Sequence, residues 1–171
     1  FLPSELDLEE PIFSFLAQKE MIKGPFVDLG CGDGRIVFLA VLYGIEAVGI
    51  EYDSILIQYC EKIKRMLIDE GLEEAKNATF VRGDFLKEDL SRFNAVYFYQ
   101  PGDLVRLQLA GVPNMISDLE AKLASELPEG ALVINRHLLH PLNNAALKPL
   151  KLSAAPTGIE NKFKGHRLLI K

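Results

Sequence analysis

The chain has 171 residues, 49% hydrophobic and 25% charged, enough apolar material for one domain with a core and too much for a disordered segment. Its net charge of −5 is uneven: residues 1–147 hold 13 basic and 23 acidic side chains, whereas residues 148–171 are basic, and an acidic body argues against a phosphate-backbone partner. No apolar run reaches the 18 residues of a spanning helix, and with no signal-peptide pattern the two cysteines, Cys31 and Cys60, read as reduced thiols that do not face each other in a cytoplasmic protein.

Ser4, followed by Asp7, marks a helix start. An amphipathic helix then runs to about Lys23, with Ile12, Phe13, Leu16 and Ala17 on one face, and Gly24-Pro25 stops it. "PFVDLG" is a first strand and "GRIVFLAVLYG" a helix ended by Gly44. "EAVGIEY" is a second strand, after which Asp53 caps a long helix closed by Gly71. "ATFVRGD" and "NAVYFYQP" are the third and fourth strands. A helix over "VPNMISDLEAKLASELPEG" leads to a fifth strand, "ALVINRHL", with short strands near Leu147–Leu152 and His166–Lys171. This alternation predicts a three-layer, Rossmann-like, doubly wound and mostly parallel seven-stranded sheet in a single domain, 1–171. The ligand then belongs at the carboxyl ends of the strands.

The turn after the first strand carries Gly30, Gly32 and Gly34 around Cys31 and Asp33, with Asp28 two residues before the first glycine. Its G-x-G-x-G spacing departs from the dinucleotide fingerprint G-x-G-x-x-G, and the G-x-x-x-x-G-K-[ST] phosphate loop is absent. Two carboxylates beside a pyrophosphate would repel it; they suit an ammonium or sulfonium group. Glu51 ends the second strand beside Tyr52 and can accept both hydroxyls of a ribose. Asp84 ends the third, placed to accept from an adenine amine, with Phe85 as an apolar face; capping its own turn is its other use. A cationic amino-acid part, a ribose and an adenine together make S-adenosylmethionine.

"VDLGCGDG", "GIEYD" and "VRGDF" resemble the first three motifs of class I S-adenosylmethionine-dependent methyltransferases, a likeness covering roughly residues 25–135. Within that class, "DLGCGDGRIV", "AVGIEYD" and "GDF" are most similar to the protein-lysine methyltransferases of archaeal and mitochondrial type. "FLPS" at Phe1–Ser4 resembles the aromatic-x-Pro-[Ser/Thr] stretch of that group, which implies that residues 1–24 fold over the cofactor and acceptor site. The resemblance implies methyl transfer to lysine on a protein substrate. A small-molecule acceptor, or a non-catalytic S-adenosylmethionine-binding scaffold, is the competing reading.

The fourth strand ends Tyr99-Gln100-Pro101-Gly102 rather than in the [Asn/Asp]-Pro-Pro-[Tyr/Phe] of adenine and amide methylation. Tyr97 and Tyr99 alternate onto one face, so Tyr99 and Gln100 are the expected acceptor-positioning groups. Glu5, Asp7, Glu9 and Glu10 would form an acidic lip for a cationic substrate, or simply a solvated helix start. His137 and His140 lack a third ligand at matching spacing, and no metal site is expected.

Overall fold

The computed structural model describes residues 4–100, 115–137, 145–149 and 166–171. In chain order they form α1 (Leu6–Gln18), β1 (Phe26–Leu29), α2 (Arg35–Leu42), β2 (Ala47–Glu51) and α3 (Ser54–Asp69). A 3₁₀ turn (Glu73–Asn77) leads into β3 (Ala78–Arg82), followed by β4 (Ala95–Gln100), α4 (Met115–Glu126), β5 (Leu132–His137), β6 (Lys148–Pro149) and β7 (His166–Ile170). One sheet runs β3-β2-β1-β4-β5-β7-β6. β3, β2, β1, β4 and β5 are parallel neighbours, and β7 is antiparallel to both β5 and β6. Six of the strands are four to six residues long. The seventh expected from the sequence is, among the described residues, a two-residue contact at the edge. The order reverses between β1 and β4, which sets the crevice of this α/β sheet at their carboxyl ends.

Side-chain alternation sorts the core into two layers. Phe26, Ala47, Ala95, Tyr97, Leu132, Ile134 and Leu168 face α1, α2 and Cys60 of α3. Val27, Leu29, Val48, Val96, Phe98, Val133 and Leu169 face the other way, against Leu119 and Leu123 of α4 and against Leu90 and Phe93. The strands are therefore covered on both sides, as parallel sheets require. Helix α1 presents Ile12, Phe13 and Leu16 to the first layer, all fully buried.

Two sequence expectations change here. Helix α1 stops at Gln18, not at Gly24-Pro25: Glu20 takes a left-handed φ of 49° and the Met21 N–H donates to the Leu16 carbonyl at 2.9 Å, a six-to-one closure that turns the chain out of the helix. Nor does Ser4 cap that helix. Glu5 occupies the cap position with no side-chain bond, and Ser4 Oγ lies 3.1 Å from the Tyr97 hydroxyl. Asp53 does cap α3, accepting from the Ile55 N–H at 2.8 Å.

Candidate active site

The site grows from β1. All four of its residues are buried, so alternation forces Asp28, 3% exposed, into the layer under α1. Its carboxyl group accepts no hydrogen bond among the described residues. Burial, and then the charges of Glu9, Glu51 and Asp33, hold it well above the usual carboxylate range. A buried carboxylate without a donor is a place for a cation.

Beyond Leu29 the chain turns over the end of β2. The N–H groups of Gly30 and Cys31 both donate to the Ile50 carbonyl, at 2.8 and 3.0 Å. Gly30, Gly32 and Gly34 all take left-handed φ values, which side chains rarely adopt. Gly34 is doubly constrained: a Cβ there would lie 2.7 Å from the Phe80 ring and 3.0 Å from Cys60 Sγ. The Cys31 side chain points beneath the loop, so only its backbone belongs to the loop surface; a Cβ on Gly49 would meet its sulfur at 2.6 Å. Contrary to expectation the two thiols do face each other. The hydrogen bond to Cys60, then burial, push the Cys31 thiol up, while Cys60 Sγ donates to the Gly32 carbonyl at 3.3 Å.

Glu51 ties the crevice together. One carboxylate oxygen accepts from Gly32 N–H at 3.0 Å and the other from Asp53 N–H at 2.9 Å. Each keeps a further lone pair for a ligand. Tyr52 beside it is 77% exposed. Asp84 Oδ1 accepts from Leu86 N–H at 3.0 Å and Lys87 stands 3.3 Å from Oδ2, which again leaves a lone pair on each oxygen. The Phe85 ring meets Phe98 edge-on at 6.0 Å and stands 4.0 Å from where a Cβ on Gly30 would be. Asp33 is paired with Arg35. Arg35 Nε reaches both its oxygens, at 2.9 and 3.1 Å, and Nη2 adds a third bond, while Nη1 donates to the Ser4 carbonyl at 2.9 Å. Arg35 thereby latches the start of α1 to the glycine loop.

Sheet register assembles a second group beside Asp28. Asp28 pairs with Tyr97 and Tyr97 with Ile134; one step on, Tyr99 pairs with Arg136 and Arg136 with His166. Alternation puts the side chains of Asp28, Tyr97, Tyr99, Arg136 and His166 on the face that α1 covers. Glu9 of α1 descends into them, fully buried. Its Oε1 accepts from Tyr97 Oη at 2.9 Å and Arg136 Nη1 at 2.6 Å, and its Oε2 lies 2.9 Å from His166 Nε2. The Arg136 guanidinium sits 4.8 Å from the Tyr99 ring centroid. Burial, the largest single influence, would lower the Arg136 pKa; Glu9, Tyr97 and Tyr99 together more than offset it, and the net direction is up. Burial, then Glu9, push the Tyr97 phenol up, so it stays a neutral donor. Gln100 closes β4, but its side chain lies outside the described residues, as do the His137 side chain and His140. Among the described residues no group of three or more His, Cys, Asp or Glu could hold a metal ion.

The acidic lip is thus corrected. Glu5, Asp7 and Glu10 are exposed, with Glu10 accepting from the Tyr43 hydroxyl, but Glu9 is the centre of a buried network. The sequence carried a signal for this: Glu9 falls on the helical stripe 9-12-13-16 with Ile12, Phe13 and Leu16. His166 carried none, because only register brings it there.

Comparison with known proteins agrees with this geometry. The family model described as the ANTKMT methyltransferase domain matches residues 28–137. The chain is 33% identical over 134 residues to the ATP synthase C-subunit lysine N-methyltransferase of Rattus norvegicus, covering 78% of this chain and 53% of that protein. Against the protein of the same name from Xenopus laevis it is 35% identical over 111 residues, covering 65% and 42%. It spans about half the length of the curated relatives it matches. In fold it is similar to a putative methyltransferase of Escherichia coli, with a TM-score of 0.69 at 18% identity over 100% of this chain and 88% of that one. An RNA methyltransferase of Salinibacter ruber in complex with S-adenosyl-L-homocysteine gives 0.62 at 20% identity over 99% and 92%. With its crevice, its glycine loop and the family model all falling on the same residues, the chain belongs to the ANTKMT methyltransferase domain family, among the class I methyltransferases.

Proposed function

We propose that the chain transfers a methyl group from S-adenosylmethionine to the side-chain amine of a lysine in a protein, with the C-subunit of ATP synthase, the substrate in its relatives' names, as the first acceptor to test. The observation that carries this reading is Asp28: a buried carboxylate without a donor among the described residues, at the foot of a glycine loop. It fits the ammonium of the cofactor's amino-acid end. Glu51, with spare lone pairs, fits the ribose hydroxyls, and Phe85 offers the adenine an apolar face. Bound there, the cofactor supplies an activated methyl on a sulfonium. The chain's own residues hold and orient it, exclude water, and bring the acceptor amine into line. Tyr99 and Gln100, at the end of β4, line the acceptor side. Of the segment 1–24 that this reading puts over the site, residues 1–3 lie outside the described residues, and for the rest the Arg35–Ser4 and Glu9–Arg136 contacts support the reading. A seventh strand seeded at Lys148–Pro149 completes the sheet. The unbridged cysteines suit a reducing, cytoplasmic setting.

The test incubates the purified chain with methyl-labelled S-adenosylmethionine and the purified C-subunit of ATP synthase. Label recovered as methyl-lysine after hydrolysis is the expected result. Calorimetric binding of the cofactor with no label on that acceptor, but methyl-lysine in other proteins of an extract, would replace the acceptor. Label confined to small molecules would overturn the lysine reading, and absence of cofactor binding would overturn the whole of it.

A further inference from the structure

The Glu9 network leaves one atom unexplained. His166 Nδ1 is buried and has no hydrogen-bond partner among the described residues, although the other ring nitrogen is held at 2.9 Å. An ionised carboxylate only accepts, so Nε2 carries the hydrogen and donates it to Glu9 Oε2. In the neutral ring Nδ1 is then a bare lone pair. A carboxylate orienting one nitrogen of an imidazole while the other is left without a partner is the arrangement that makes histidine a general base.

Resting on the lysine reading above, we propose that His166 is a catalytic base of that reaction, with Glu9 as the residue that positions it. A lysine ammonium cannot attack until it loses a proton. The N–H bond breaks, its electron pair stays on the amine nitrogen, and the proton forms a bond to Nδ1. The amine then takes the methyl as the C–S electron pair leaves with the sulfur, and the imidazolium returns its proton to solvent when products depart. The surroundings suit the step. Among the described residues, Glu9 on α1, Arg136 on β5, Tyr97 and Tyr99 on β4 and Asp28 on β1 are the titratable or charged groups of this network. Glu9 holds Nε2 at 2.9 Å, so a proton gained at Nδ1 finds a carboxylate at the far side of the ring. The place suits it as well: His166 pairs with Arg136 and Arg136 with Tyr99, the strand end that the reading gives to the acceptor.

His166→Gln is the informative variant, because its amide can still donate to Glu9 but offers no basic nitrogen. On the full chain, calorimetry is expected to show cofactor affinity unchanged. Turnover onto lysine falls about 100-fold near neutral pH with little change in KM, and the loss shrinks toward about pH 10, where the amine sheds its proton to water. Independently of activity, nitrogen-15 spectra of the histidine-labelled, ligand-free chain are expected to show His166 protonated at Nε2 and bare at Nδ1. The chain has three histidines, and His137→Gln and His140→Gln assign the other two signals, so this readout stands even where His166→Gln does not fold. Unchanged turnover, a loss equal at every pH, or a hydrogen on Nδ1 alone would overturn the proposal while leaving methyl transfer by the unaltered chain intact. Failure of the unaltered chain to methylate any lysine would instead overturn the reading beneath it, and the base with it.

Discussion

Glu51 shows how one side chain serves fold and ligand together. Its two oxygens hold the N–H groups of Gly32 and Asp53, so it shapes the glycine loop as well as offering acceptors to a ribose. Glu51→Ala strips partners from both backbone donors and from the ligand. The expected cost to cofactor binding is about 1–3 kcal/mol, read by calorimetry. Glu51→Gln keeps one acceptor oxygen and loses less. Equal affinities for all three proteins would remove Glu51 from the cofactor's contacts. Asp84 is built alike: the Leu86 N–H and Lys87 each engage one of its oxygens, which shapes the turn after β3 and leaves acceptor capacity on both.

Among the elements, what was legible in the sequence depended on how local its cause was. Asp53 ahead of an apolar run announces α3, and its carboxylate does cap Ile55. The alternation of β4 announces that Tyr97 and Tyr99 share a face, and register puts both beside the Glu9 network. The end of α1 was not legible, because nothing in its composition favours a left-handed Glu20. That residue is held by the Met21-to-Leu16 bond and by the packing of Met21 and Ile22 against the core. The buried network was half legible: Glu9 from its helical stripe, Arg136 from its place at a strand end, His166 not at all, since it lies 157 positions from Glu9. A left-handed backbone disfavours any side chain, so Glu20→Gly is expected to stabilise the fold by about 0.5–1 kcal/mol. A raised urea midpoint at constant m-value checks it; a lowered midpoint would mean that the Glu20 side chain itself holds the turn.

At the scale of the molecule the site sets ligand affinity against stability. Asp28 lies in a fully buried strand, and burial with three neighbouring acids raises its pKa well above the usual carboxylate value of 3.8. A group whose folded pKa is raised binds its proton more tightly in the folded chain. Its contribution to stability is therefore complete below the unfolded pKa and is lost as pH rises through the folded one. Above that window the free protein carries an uncompensated buried charge, which a bound ammonium would offset. Asp28→Asn keeps the shape and cannot ionise. Without ligand it is expected to melt about 2–4 °C higher than the unaltered chain at alkaline pH, on the order of 1 kcal/mol. That gain should vanish toward pH 3.8, where both carry a neutral side chain. With saturating S-adenosylmethionine the order should reverse, because ligand binding adds stability in proportion to the logarithm of its affinity and the variant has lost the partner of the ammonium. Calorimetric melts of both proteins across pH, with and without the cofactor, decide it. A variant less stable at every pH would mean that Asp28 is held by the fold itself, and an equal shift on adding cofactor would separate Asp28 from the cofactor's charged end.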